Sequence, residues 1–162
     1  MSSTLKAQEW PDLAGRLIED AGGRRHILPV RVYFEDTDFS GLVYHATYVR
    51  WCERGRSDFL RLLGNDHKGL IAGAVGREPA AFVVRRMQLE FRKPARIDEV
   101  LEVVTRVKQV GAAHLVLDQR IGRGETIVFE AEVTVVLVSV PGKPLRMTRT
   151  LRQAMADTTS DQ

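Results

Sequence analysis

The order of the predicted elements, one strand, one long helix and then four long strands in succession, most constrains the fold. Residues 28–34 alternate apolar and polar side chains, as a strand does. Residues 46–63 place apolar side chains at steps of three and four, which predicts a helix ending at Gly64. Four further strands are predicted, over residues 81–91, 100–110, 114–122 and 126–140. Because helices do not alternate with these strands, we expect an antiparallel sheet of the α+β class.

The length of the chain limits the number of domains. A chain of 162 residues accommodates one domain with a sizeable core, which we place at residues 26–155. Residues 1–25 are expected to form an extension with a short helix, because apolar side chains recur there at helical spacing, namely Trp10, Leu13, Leu17 and Ile18. Residues 156–162 are expected to form a disordered tail.

Charge and composition exclude several functional classes. The net charge of +3, from 24 Lys+Arg and 21 Asp+Glu, is too small for a chain built around a nucleic acid. The single cysteine, Cys52, cannot form an intramolecular disulfide, and no signal-peptide core or membrane-spanning run is present, so we expect a cytoplasmic protein. No ligand-spaced His or Cys pair and no nucleotide-binding motif occurs, so we expect neither a metal nor a cofactor.

The densest group of chemically active residues is the segment EDTDFSGLVYHATYVRW, residues 35–51. It joins three carboxylates and a glycine turn to the start of the long helix. A helix N-terminus exposes N–H groups that stabilise negative charge on a carbonyl oxygen. A carboxylate in the preceding loop can act on that carbonyl as nucleophile or general base, which is the chemistry of acyl transfer. Asp, Thr and Gly before a helix are also ordinary capping and turn residues. Both interpretations of the segment, a catalytic loop and a purely structural one, stay open here.

A longer segment, RVYFEDTDFSGLVYHATYVRWCERGRSDFLR at residues 31–61, closely resembles the signature of the Tol–Pal-associated acyl-CoA thioesterases. That family is a branch of the 4-hydroxybenzoyl-CoA thioesterase-like hotdog superfamily. The resemblance continues over residues 81–103 and less sharply beyond them. It implies a hotdog fold, a curved antiparallel sheet wrapped around a long central helix. It also implies a homo-oligomer, either a dimer or a homotetramer built as a dimer of dimers, with active sites at the subunit interface.

The same resemblance implies the catalytic residues. In such enzymes the residue that corresponds to Asp38 is the catalytic carboxylate, and the N–H at the start of the helix, here near His45, polarises the thioester carbonyl. The implied activity is hydrolysis of acyl-CoA to a carboxylic acid and CoA, with Asp38 as nucleophile or as general base. Two alternative functions are compatible with the same fold. One is hydration of an enoyl thioester, and the other is that of a non-catalytic module that binds acyl-CoA or an acyl carrier.

Four further residues are assigned to the substrate. Gly41 and Tyr44 lie between the two catalytic residues and are expected to border the thioester. Some relatives hold the CoA phosphates with a basic turn, but the corresponding turn here is uncharged, Gly111-Ala112-Ala113. We therefore assign Arg92 and Lys93, in the turn after the strand at 81–91, to the CoA moiety. An acyl group on acyl carrier protein is an alternative substrate.

Overall fold

The computed structural model describes residues 15–73 and 78–159. These residues form an antiparallel, curved six-stranded sheet in the order β1-β2-β4-β5-β6-β3, with the long helix α1 packed against it. The strands are β1 (Arg16–Asp20), β2 (Gly23–Arg31), β3 (Ala80–Phe91), β4 (Val100–Val110), β5 (His114–Arg123) and β6 (Thr126–Ser139), and the helices are α1 (His45–Leu62), α2 (His67–Ile71) and α3 (Arg149–Ala156). The predicted α+β hotdog class is confirmed, and the four strands β3 to β6 begin and end within one residue of the predicted bounds.

Helix α1 lies where its apolar spacing predicts, one residue earlier than expected at each end. The predicted stripe is buried through Tyr48, Cys52 and Phe59, and Trp51 is buried beside it, so the sheet covers more than one face of the helix. Gly55 allows a close approach, because a Cβ atom there would stand only 3.1 Å from the Val103 side chain on β4. The helix therefore lies directly against the middle of the sheet.

A buried polar group also fixes α1 on the sheet. The Gln119 side-chain amide on β5 donates to the Cys52 carbonyl and to the Thr105 hydroxyl, both at 2.9 Å. Its oxygen accepts a hydrogen bond of 2.9 Å from Arg56. Because these partners are satisfied inside the protein, the network specifies one position for the helix and hence for its N-terminus.

The predicted N-terminal helix is wrong over residues 16–20, which form β1. Leu17 and Ile18 therefore point to opposite faces of a strand, and Leu17 packs against the core. The hairpin to β2 turns at Gly23, whose φ of +88° favours glycine. Trp10 and Leu13 lie outside the described residues. Strand β2 begins earlier than predicted and ends at Arg31, because residues 34–36 form a short 3-10 turn.

The C-terminal segment is ordered further than predicted. Helix α3, which the sequence analysis did not predict, begins after Thr148, whose side chain accepts from the Leu151 N–H at 3.2 Å. Leu151 and Met155 are buried in the core, and Thr158 is buried beyond the helix. The expected disordered tail is therefore wrong for residues 156–159, and residues 160–162 lie outside the described part of the chain.

Candidate active site

The acidic loop that precedes α1 is a tight turn closed by its own backbone. The Asp38 N–H donates to the Leu42 carbonyl and the Gly41 N–H donates to the Asp38 carbonyl, each at 3.0 Å. Thr37 and Val43 pair across the base of the turn. Gly41 has a φ of +81°, a conformation that side chains with a Cβ rarely adopt, so the glycine is required by the turn. The turn projects Asp38 away from the core.

The Asp38 carboxylate is exposed and held by one neighbour, Ser40. Its Oδ1 accepts a hydrogen bond of 2.9 Å from the Ser40 amide and a second, short one from the Ser40 hydroxyl. These bonds, first the one from the hydroxyl, lower the pKa of Asp38 below the ordinary value of 3.8, and the nearby His45 contributes less. Asp38 is therefore ionised at neutral pH, and its Oδ2 has no hydrogen-bond partner within residues 15–73 and 78–159.

The first amides of α1 are available to a ligand. Tyr44, the residue before the helix, is extended and makes no side-chain cap, while its own N–H donates to the Asp36 carbonyl at 2.9 Å. The Thr47 N–H donates to the Tyr44 carbonyl at 2.9 Å. Between them, the N–H groups of His45 and Ala46 have no acceptor in the described part of the chain. They form a donor pair at the positive end of an 18-residue helix.

Asp36 differs from Asp38 in what its carboxylate does. Asp36 Oδ2 accepts a 2.8 Å hydrogen bond from the Tyr33 N–H, and the Asp36 carbonyl accepts from Tyr44 and, at 3.3 Å, from the Thr47 hydroxyl. These bonds anchor the loop to the start of α1. Of the two aspartates in the loop, Asp36 is therefore structural in its contacts and Asp38 presents a free oxygen.

Aromatic rings surround the start of α1. The His45 ring lies 4.4 Å from the Tyr44 ring and 6.5 Å from the Phe91 ring at the end of β3, measured between centroids. Tyr44 is 45% exposed, whereas Tyr48 is only 4% exposed and stacks on Phe129 at 5.1 Å. Tyr48 is thus a core residue. Tyr44 and His45, in contrast, are exposed at the surface.

The basic turn after β3 lies next to the acidic loop. The Val43 N–H donates to the Ala95 carbonyl at 2.9 Å, and Leu42 pairs with Arg96. Arg92 is already engaged, because two of its guanidinium nitrogens lie 2.9 Å from the same oxygen of Glu130. Lys93 is exposed and forms no ion pair with another described residue. The structure thus places both cations beside the loop but leaves only the Lys93 charge uncompensated.

Two contacts at the site were missed by sequence reasoning. Ser40, which binds Asp38, was not singled out, although an Asp followed two residues later by Ser or Gly is a familiar turn signal. Phe91, which approaches His45, is distant in sequence and has no local signal. Only the pairing of β3 with β6 and the fold of the sheet bring it to α1.

An apolar cavity of about 140 Å³ lies away from the acidic loop, at the other half of α1. Phe59, Phe82, Leu117 and Met155 line it. Leu60, also in its wall, follows His45 by 15 positions, a rise of roughly 22 Å along the helix. Within one chain, the predicted catalytic loop and this apolar cavity are therefore separate.

The described residues offer no second chemical centre based on a thiol or a metal ion. Burial raises the pKa of the Cys52 thiol to about 12, so Cys52 is a protonated core residue at neutral pH. Residues 15–73 and 78–159 hold no cluster of His, Cys, Asp or Glu side chains arranged to bind a metal ion. None of the helices in these ranges combines the length and apolar character that crossing a bilayer requires.

The chain is similar to several known proteins and to one protein-family model. Residues 40–130 match the thioesterase superfamily, a segment that starts two residues after Asp38 and includes His45. The acyl-CoA thioester hydrolase YbgC of Escherichia coli O6:H1 is 46% identical over 120 residues, covering 74% of this chain and 83% of that protein. The acyl-CoA thioesterase YbgC of Haemophilus influenzae is 37% identical over 112 residues, covering 69% and 79%. The crystal structure of a probable thioesterase from Bartonella henselae superposes with a TM-score of 0.74 at 42% identity, covering 76% of this chain and 99% of that one.

Proposed function

The chain belongs to the thioesterase superfamily and is a thioester hydrolase, and on that premise we propose that it cleaves acyl-CoA with Asp38 as the catalytic carboxylate. One observation carries the proposal. The ionised Asp38, held through one oxygen by Ser40, stands in the turn that leads directly to the amides of His45 and Ala46, which have no acceptor among residues 15–73 and 78–159. A thioester carbonyl between them meets, on one side, a carboxylate oxygen that receives no hydrogen bond from a described residue and, on the other, two hydrogen-bond donors.

Two mechanisms use this arrangement. In the first, Asp38 Oδ2 attacks the carbonyl carbon, the C–S bond breaks, and the thiolate leaves and takes up a proton. Water then hydrolyses the resulting mixed anhydride and restores the carboxylate. In the second, Asp38 removes a proton from a water molecule that attacks the carbonyl directly. In both, the oxygen that becomes negative accepts hydrogen bonds from the start of α1.

The neighbouring residues complete the proposed site. Gly41 sets the turn that presents Asp38, and the exposed Tyr44 ring together with His45 borders the thioester. Lys93, which forms no ion pair with a described residue, and Arg92, which is paired with Glu130, lie at the next turn and are assigned to the carrier part of the substrate. The His45 ring has a positioning role beside its amide.

A second copy of the chain completes the binding site in this proposal. Strand β3 is an edge of the sheet and has one strand neighbour, β6, while Val83 and Val84 on it are exposed. Large apolar side chains near the loop are also exposed, with Phe34 at 84% and Phe39 fully accessible. Such surfaces are typical of subunit contacts. Pairing β3 antiparallel with a second β3 covers this edge and forms a dimer, and a tetramer as a dimer of dimers remains part of the proposal.

Antiparallel pairing also brings the apolar cavity of one copy towards the Asp38 loop of the other. The Phe91 end of one β3, next to His45, then lies opposite the Ala80 end of the other. Phe82 and Val84, close to that Ala80 end, line the apolar cavity. We therefore propose that the cavity of one copy accepts the acyl chain of the thioester bound at Asp38 of the other.

The test of the function is release of free thiol from a panel of acyl-CoAs that vary in chain length and in aromatic or aliphatic character. Turnover of at least one of them supports the proposal, and acyl carrier protein thioesters test the alternative carrier. Saturable binding without thiol release would instead show a non-catalytic acyl-CoA-binding module. The Tol–Pal association and the cytoplasmic location predicted from the sequence stay predictions.

A further inference from the structure

Three arginines share one concave surface of about 560 Å³ beside the turn between β4 and β5. Arg146, Arg149 and Arg152 are all exposed, and none of them forms an ion pair within the described part of the chain. Two arginines on the sheet are neutralised by contrast, because Arg106 binds Asp20 and Arg123 binds Glu99. No carboxylate lines the concavity. Three uncompensated positive charges in one recess indicate an anionic occupant.

The position of two of these arginines on α3 supports an anion independently. Arg149 is the first residue of the helix and Arg152 lies in its first turn, which holds no acidic residue. Positive charges at this end oppose the helix dipole, whereas anions are stabilised there. Thr148 caps only the Leu151 amide, so the Arg149 and Thr150 amides have no acceptor among residues 78–159. A phosphate group bound here satisfies both the amides and the arginines.

The recess lies at the end of the sheet opposite the Asp38 loop of the same chain. The Met147 N–H donates to the Ala112 carbonyl at 2.8 Å, and the Leu145 N–H donates to the Leu137 carbonyl at 2.8 Å. Leu137 pairs with Phe82 near the start of β3, whereas His45 approaches Phe91 at its end. Between the ends, β3 spans 12 residues, roughly 36 Å. The pantetheine arm of CoA, with about 13 bonds from sulfur to phosphorus, extends over only roughly 16 Å.

A second copy brings the recess within reach. When two β3 strands pair antiparallel, the recess of one copy lies on the same side of the dimer as the Asp38 loop of the other. From β5 to the second copy's β3 there are three strand spacings, β5 to β6, β6 to β3 and β3 to β3, which is roughly 15 Å. This strand-to-strand distance is close to the length of the pantetheine arm, roughly 16 Å.

We propose that Arg146, Arg149 and Arg152 bind the phosphates of an acyl-CoA whose thioester is hydrolysed at Asp38 of a second copy. The inference rests on the proposed function and on the β3 dimer. It supplies the positive charge that the adjacent turn, Gly111-Ala112-Ala113, lacks.

Matched substrates test the site. The triple variant Arg146→Gln, Arg149→Gln, Arg152→Gln is compared with a control that removes the same charge near the opposite edge and on α1, Arg16→Gln, Arg24→Gln, Arg54→Gln. In the first variant, KM for acyl-CoA should rise about tenfold or more with kcat within about twofold, and KM for the same acyl group on pantetheine should not change. The control should behave as wild type with both substrates.

Other outcomes of these assays would refute either the phosphate site or the proposed function. An unchanged KM for acyl-CoA, or an equal rise for both thioesters, would overturn the phosphate site. A rise confined to acyl carrier protein thioesters would assign the arginines to an acidic protein and also overturn it. A wild-type protein that hydrolyses neither the CoA nor the pantetheine thioester would refute the proposed function instead.

Mixed dimers test which copy supplies the arginines. Co-expression of the Asp38→Asn chain with the triple arginine variant, under two different tags, yields a heterodimer with one intact Asp38. If the arginines act across the dimer, that Asp38 is served by the intact arginines of the Asp38→Asn chain, and the heterodimer regains the wild-type KM at about half the wild-type kcat. A heterodimer that keeps the high KM of the arginine variant would place the arginines in the same copy as the Asp38 that they serve, and would contradict the proposal.

Discussion

Replacing His45 by proline and, separately, by alanine distinguishes the first amide of α1 from the imidazole ring. Proline suits this position, because it is favoured at the first residue of a helix and its missing N–H leaves no intrahelical bond broken. Tyr44 before it is extended, with φ −63° and ψ 135°, the conformation that a residue preceding proline prefers. His45→Pro should therefore fold normally while losing one donor to the substrate.

The expected magnitude follows from the role of that donor. Removing one oxyanion donor typically costs about 3 kcal/mol of barrier, a factor of roughly a hundred to a thousand in kcat. His45→Ala keeps the amide and loses only the ring contacts with Tyr44 and Phe91, so we expect a loss of no more than about tenfold. Thiol release from one acyl-CoA gives kcat, and urea denaturation verifies that both variants fold. Equal kcat values in two folded variants would assign the effect to the ring and refute the amide role.

Three further predictions concern the acidic loop, the core and the assembly. Ser40→Ala removes the hydroxyl that most lowers the pKa of Asp38, so this pKa should rise. As the solution is acidified, activity should then be lost at a higher pH than in the wild type. An unchanged acid limb in the pH profile of kcat/KM would show that the Ser40 hydroxyl does not control the pKa of Asp38. Asp58→Ala leaves the buried His26 ring and the Gly15 amide without their 2.6 Å partner, which should lower the free energy of unfolding by roughly 2–5 kcal/mol in urea titrations, and a loss below about 1 kcal/mol would show the bonds to be unimportant. Light scattering should find dimers or larger assemblies at working concentrations, and a fully active monomer would exclude a site shared between copies.

The elements that the sequence predicted well are those whose side chains carry a strong period. Helix α1 and strands β4 to β6 bury one side of a regular pattern, so burial and periodicity coincide. Strand β1 was mistaken for a helix because it is an exposed edge of five residues, too short for its alternation to show. Helix α3 was missed for a related reason, since only Leu151 and Met155 of its eight residues are buried.

In the candidate site, too, contacts between neighbours in sequence were predictable and contacts between distant strands were not. The loop that carries Asp38 and the helix start at His45 are neighbours in sequence, so their proximity in space follows from one turn. Phe91 reaches His45 through the pairing of distant strands, and no local pattern encodes that contact. Arg92 illustrates the same limit: its exposed, basic character was evident, but its ion pair with Glu130 on β6 depends on the register of the sheet.

The comparison of Asp38→Asn with Asp36→Asn distinguishes a catalytic carboxylate from a structural one. Asparagine at position 36 can still accept the hydrogen bond from the Tyr33 amide, and the Asp36 carbonyl bonds do not involve the side chain. Asparagine at position 38 keeps the shape of the side chain but can neither attack a carbonyl nor remove a proton. In thiol-release assays with a good acyl-CoA substrate, Asp38→Asn should lose on the order of a hundredfold or more in kcat while still binding the substrate, and Asp36→Asn should change kcat much less. An Asp38→Asn protein that keeps more than about half of the wild-type kcat would show that Asp38 is not the catalytic carboxylate.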